Sequence, residues 1–285
     1  MKEIKKPGCS MLGKLAVYDM KCGRNYTYCA CLVPFLLIVF HCLIFRNNVV
    51  SMSVYSGTDW KASSADFLFC FMKGMPVFVI AGAQTRFEIP GSWLIFHWWP
   101  SFMISAYVIR NWKLQGGSVL LRVRSRGLWW LGKCIWSVIN VFIYYIFLIL
   151  MILIFSSFFG KLSFEIQPIL HGLSAETSEK LLPQWLSVSA ILLPFLISTG
   201  LVLTQLAFTI CLNQAIGNIV TLVALITSAY LCDPILPGNY LMLLRSSSLI
   251  GAEGVTFGQG ISAAFFMITA AIAAGLLYIR RYDVK

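Results

Sequence analysis

Acidic side chains are scarce in this sequence. It holds 11 Asp plus Glu against 22 Lys plus Arg over 285 residues, and charged residues of both signs reach only 12%. A soluble domain carries about twice that charged fraction, so an ordinary water-soluble fold is excluded. Cys-x-x-Cys is also absent. Of nine cysteines, Cys29, Cys31, Cys42, Cys70, Cys134, Cys211 and Cys232 lie in or beside apolar runs, where a free thiol behaves as a small apolar group. That argues against a disulfide framework or a zinc ribbon. His41, His97 and His171 are scattered, with no H-E-x-x-H, and a metal needs several ligands converging on one point. There is no G-x-S-x-G, and no paired catalytic residues occur in the apolar runs. No metal site, no catalytic residue and no enzymatic activity are expected of this chain.

What is present is apolar mass and an uneven charge pattern. Hydrophobic residues make up 59% of the chain. Residues 1–28, 110–133 and 280–285 hold fifteen bases, from Lys2 to Lys285, against Glu3, Asp19 and Asp283. Lys and Arg stay preferentially on the cytoplasmic side of a membrane. The reading is an all-α, polytopic membrane protein in the cell membrane, with a basic inner face and both termini cytoplasmic. The net charge of +11 could suit nucleic acid. Bases that flank apolar helices instead meet anionic lipid headgroups, so membrane lipids are expected partners and nucleic acid is not.

The apolar runs predict six transmembrane helices in one domain, 1–285. Residues 10–23 place Met11, Leu15, Tyr18 and Cys22 at helical spacing and read as an amphipathic connecting helix in the inner interface. The first span is 29–45, and its run begins too late and is too long for a cleaved signal. Between 66 and 109 lie two apolar pieces, 67–83 and 93–109. Two full crossings there would separate the basic stretches onto opposite sides. The first piece contains Lys73, and a lysine at the bilayer centre costs roughly 2.5–3.5 kcal/mol. Residues 66–83 therefore read as a re-entrant or outer-leaflet segment and 93–109 as the second span. Further spans are 134–159, 186–212, 216–232 and 257–279. Residues 233–256 read as re-entrant outer helices.

Gly127-Leu-Trp-Trp-Leu-Gly132-Lys133-Cys134 nearly matches a phosphate-cradling G-x-x-x-x-G-K-[ST] loop. It lacks the closing hydroxyl and a preceding strand. Trp129, Trp130 and Lys133 read instead as anchors where the chain re-enters the bilayer. Asn140 and Gln205 are polar residues in apolar runs. They are candidates for a translocation path, with interhelical hydrogen bonding the favoured reading. Residues 113–127 form the most suggestive segment. Gly116 and Gly117 open it, Ser118 is placed to cap a short helix, and Gly127 closes it. Leu120 and Leu121 lie beside Arg122, Arg124 and Arg126, as in a compact basic helix built to dock into a protein groove.

With KLAVYDMK before the first span, GGSVLLRVRSRGLWWLGK between the second and third, DPILPGNYLMLLR before the last, and YIRRYDVK after it, the chain resembles the membrane subunits of type-two ATP-binding-cassette (ABC) exporters. The resemblance implies that 113–127 is the coupling-helix loop, with Gly116, Gly117, Leu120, Leu121, Arg122, Arg124 and Arg126 at the ATPase interface. It implies a second permease copy, identical or related, and a separate ABC ATPase subunit that holds ATP and Mg. This chain would bind no cofactor itself. The implied activity is export of a hydrophobic or amphipathic substrate, such as an antimicrobial peptide or drug-like molecule. The alternative is an ATPase-independent membrane scaffold or regulatory subunit.

Overall fold

The computed structural model describes residues 8–78, 87, 89–123, 125–172, 183–250 and 253–281, with 8–10, 115–122 and 183–189 described as backbone alone. The long helices are α1 (Gly8–Ser56), α3 (Gly91–Val123), α4 (Arg126–Phe159), α5 (Pro183–Cys211), α6 (Gln214–Tyr230) and α7 (Phe257–Arg281), and α2 (Ser64–Met72) is short. Helices α1, α4, α5 and α7 contain apolar windows long enough to cross a membrane. The protein is a helical membrane protein.

Cross-helix contacts fix the directions of the helices. Along α1 and α4, Asp19 meets Lys133, Thr27 meets Asn140, Phe35 meets Phe147 and Arg46 covers Phe159. Both numbers rise together, so the two helices are parallel. Helix α3 runs against α4, since Tyr107 stacks near Trp136 and Phe96 near Tyr144. It runs with α5, since His97 faces Ser198 and Ser105 faces Gln205. Helices α5 and α7 are also parallel, with Gly260 against Leu193 and Gly200 against Met267. The tight α5–α6 turn makes those two antiparallel. Thus α1, α4 and α6 run one way, and α3, α5 and α7 the other. One end of the bundle gathers Lys14, Lys21, Arg24, Arg110, Lys113, Arg126, Lys133, Arg280 and Arg281. Within a bilayer the apolar effect between helices is weak, and packing and hydrogen bonds hold the bundle. Leu32, Leu36 and Phe40 project outward from α1, while Ile38, Cys42, Phe45 and Val49 are buried.

Three segments at the basic end differ from the sequence reading. Residues 10–23 are not a separate interfacial helix. They are continuous with the first span in α1, whose 49 residues extend about 73 Å. Asp19 is the reason: it is buried in a polar contact that needs the helix to carry on inward. Residues 113–123 are likewise not a free-standing helix opened by Gly116 and Gly117, because α3 runs unbroken to Val123 and Ser118 stands in a helix interior rather than at a helix start. Glycine inside a helix costs about 1 kcal/mol relative to alanine, which disfavours a helix without forbidding it. The turn to α4 is made at Ser125, whose Oγ accepts from Leu128 N at 3.4 Å. Arg124 lies outside the described residues. Trp129, Trp130 and Lys133 are not interface anchors, since all three are buried inside the bundle.

At the opposite end, α2 has nine residues, far too short for a ~30 Å core. A capping box closes it: Ser63 N donates to Asp66 Oδ2 at 2.9 Å, and Asp66 N to Ser63 Oγ at 3.0 Å. Residues 79–83 of the expected re-entrant segment lie outside the described residues, as do 251–252. The rest of 233–256 forms 3-10 turns at Pro237–Leu241 and Leu243–Arg245 and one α turn at Ser247–Ile250, rather than half-helices. Those turns pack on α5, α6 and Trp93 in a second apolar cluster.

Candidate functional site

At the basic end, α1, α3 and α4 meet around a buried charge. Lys133 Nζ donates to Asp19 Oδ1 at 2.5 Å and to Asn111 Oδ1 at 2.8 Å. Tyr107 OH donates to the same Asp19 oxygen at 2.8 Å. The ammonium also lies 5.1 Å from the Tyr107 ring and 5.4 Å from that of Trp129. Lys133 and Asp19 are each 2% exposed. Burying an ion pair costs several kcal/mol per ion, and geometry must return it. Here two further donors and acceptors and two ring faces share the charge. The cluster stands at the base of the α3–α4 hairpin and clamps it to α1.

The clamp continues as a polar stripe. Lys133, Ser137, Asn140 and Tyr144 are buried on one face of α4 at spacings of four, three and four. Opposite them, Asp19, Gly23 and Thr27 recur every fourth residue of α1. Thr27 Oγ1 donates to Asn140 Oδ1 at 2.5 Å, and Asn140 Nδ2 to Trp136 O at 2.8 Å. Gly23 lets the indole of Trp136 lie against the α1 backbone. Asn140 is thus an interhelical bonding residue.

Gln205 is fully buried in α5. Its Nε2 donates to Ser105 Oγ on α3 at 3.1 Å and to Asn218 Oδ1 on α6 at 2.6 Å. It ties three helices beside a cavity of about 780 Å³ at the basic end, between α3, the α5–α6 turn and α7. The two candidate path residues do not meet: Asn140 belongs to the α1–α4 seam, Gln205 to the α3–α5–α6 seam. Of the expected docking residues, Gly116, Gly117, Leu120, Leu121 and Arg122 fall on the last turns of α3, and Arg126 opens α4.

Two constellations at the other end were not foreseen. Arg245 is buried, and its guanidinium donates to the carbonyls of Ser228, Ala229 (2.6 Å) and Leu231 (3.2 Å) at the end of α6. It also reaches Met75 O, Pro76 O and the Asn239 amide oxygen. Final helix carbonyls lack intrahelical partners and carry the negative end of the dipole, so a cation is favoured there. Burial pushes this guanidinium below its ordinary range, while the Cys232 thiol acts the other way. Asp66 Oδ1 accepts from Gln167 N at 2.8 Å and lies 3.1 Å from His171 Nε2. His171 stacks on Phe45 with centroids 5.2 Å apart.

The signals for the inner cluster were a lone Asp and a lone Lys in apolar surroundings, each with polar residues repeating at helical spacing. Nothing local marks Arg245, because its partners are backbone carbonyls. Comparison with protein-family models, curated proteins and solved structures finds no match to this chain.

Proposed function

We propose that this chain is the membrane permease of an ATP-driven exporter, crossing the bilayer six times with both termini in the cytoplasm. The single observation that carries the reading is the α3–α4 hairpin at the basic end. Beyond residue 109, α3 continues for fourteen residues, about 20 Å, past the second span. The hairpin is clamped to α1 through Asn111, Lys133 and Asp19, so a load on its tip is delivered to three helices at once. The alternating directions of the six long helices support the crossing count, and positive-inside bias puts this end in the cytoplasm.

In this reading Gly116, Gly117, Leu120, Leu121, Arg122, Arg124 and Arg126 contact a separate ABC ATPase that binds ATP and Mg. Closure of that ATPase drives the hairpin, and the bundle releases a hydrophobic or amphipathic substrate outward. A second permease copy completes the pathway. The test is the double variant Arg122→Glu/Arg124→Glu, with ATPase co-purification and export measured together. Loss of the ATPase or of export is expected, while the variant still folds and inserts. Normal export by the double variant overturns the docking assignment. Isolation of the wild-type chain from native membranes with no ATPase favours the scaffold alternative.

A further inference from the structure

We propose that the inner-end cavity between α3, the α5–α6 turn and α7 binds an amphiphile with an anionic phosphate or carboxylate head. The cavity encloses about 780 Å³ and has two unlike ends. Its apolar wall is formed by Phe102, Ile109 and Ile279. Its polar end holds Lys113 and Asn213, while Asn218 lies deeper, level with Ser105. From Phe102 to Lys113 is eleven residues of α3, about 16 Å. That equals one leaflet of a ~30 Å hydrocarbon core. A chain lying along Phe102 and Ile109 would therefore bring its head to Lys113 at headgroup depth.

Charge at the polar end favours an anion. Lys113 is exposed there, no Asp or Glu is among the described lining residues, and Arg280 and Arg281 follow Ile279 directly. Gln214 and Ala215 open α6 at the same end, and the Asn213 side chain is committed to Ile216 N at 2.8 Å. Thr209 lines the cavity and is 2% exposed, yet its hydroxyl has no partner among the described residues. A buried polar group without a partner costs about 1–3 kcal/mol. The Thr209 hydroxyl can turn to donate, so a ligand oxygen reaching it would relieve that cost.

A bilayer phospholipid and a free amphiphilic cargo share this chemistry, and two probes separate them. The full chain, purified in a neutral maltoside detergent, is titrated with dioleoyl phosphatidylglycerol and with dodecyl phosphate, and bound ligand is counted by native mass spectrometry. The site is altered by Lys113→Glu and, independently, by Ala215→Trp, which fills the cavity from an exposed position. Lys21→Glu removes an exposed base at the same end of the bundle as a charge-matched control. Both site variants should weaken binding by about tenfold or more, while the control changes it by less than about twofold. If dodecyl phosphate displaces the phospholipid, a single-chain anion suffices and cargo can use the site. If only the phospholipid binds, the occupant is a bilayer lipid. Binding unchanged in both site variants, or weakened equally by Lys21→Glu, overturns the proposal. No ATPase enters the measurement, so its failure leaves the exporter reading where it was.

Discussion

Lys133 Nζ and Asp19 Oδ1 are 2.5 Å apart, between helices α4 and α1, each too deeply buried for solvent to relieve its charge if the other were lost. Removing one partner strands a buried ion, which typically costs about 3–5 kcal/mol. Asp19→Asn and Lys133→Met should each lower the melting temperature of the detergent-solubilised protein sharply. The double variant Asp19→Leu/Lys133→Met should recover most of that loss. Equal melting temperatures for wild type and both single variants would rule out a structural role for the pair.

Arg245 makes a separate prediction. Its guanidinium serves carbonyls from the end of α6 and from the chain after α2. Arg245→Met should leave several of them unpaired, at about 1–3 kcal/mol each for those kept from water. Arg245→Lys should rescue little, because a point charge cannot reproduce a planar fork of donors. Limited proteolysis of the detergent-solubilised protein, compared with thermal melting, reads whether the 233–250 turns loosen first.

Glycine replacements separate tight from open helix faces. A Cβ at Gly275 would run into the Trp130 ring, and that indole already donates to Ile272 O at 3.0 Å. Gly275→Ala should destabilise by about 1–3 kcal/mol through overpacking. Gly13 meets nothing within 4 Å. Gly13→Ala should be neutral or stabilising by up to about 1 kcal/mol, since alanine is the better helix former. Thermal unfolding of the two variants, side by side, checks the contrast.

Topology gives a labelling experiment. In a background with the other cysteines replaced, exposed Cys22 should react with a membrane-impermeant maleimide only after permeabilisation. Lys161→Cys, exposed at the opposite end, should react in intact cells. The reverse pattern would invert the orientation and remove the hairpin from the cytoplasm.

The helical membrane character was legible because apolar runs long enough to cross a bilayer have few other uses. The helices over 183–211, 214–230 and 257–281 overlie the runs at 186–212, 216–232 and 257–279. Segments where charge interrupts the apolar pattern were harder. The spacing of Met11, Leu15, Tyr18 and Cys22 made 10–23 look interfacial and Lys133 looked like a headgroup anchor, because neither Asp19 nor Lys133 gives a local hint of a partner more than a hundred residues away. Gly116 and Gly117 looked like a boundary, since local propensity is a weak prior once a helix is already extending. Asn140 and Gln205 were visible as polar residues, but their separate seams required knowing which helices are neighbours. Arg245 was hidden for another reason: carbonyl acceptors have no side-chain signature.

The unbroken length of α1 has a mechanical corollary. A rod of 49 residues has one residue, Pro34, that withholds a backbone donor, and it lies near the middle. Helices that bend sharply do so at such places. A displacement of the basic ends of α3 and α4 would carry the near half of α1 with it through Asp19. The far half, pinned at Phe45 by the stacked His171, can stay behind only if the rod flexes at Pro34. A stiff Ala in its place would join the two halves into a single tilting strut, so that every inward displacement is copied to the outside.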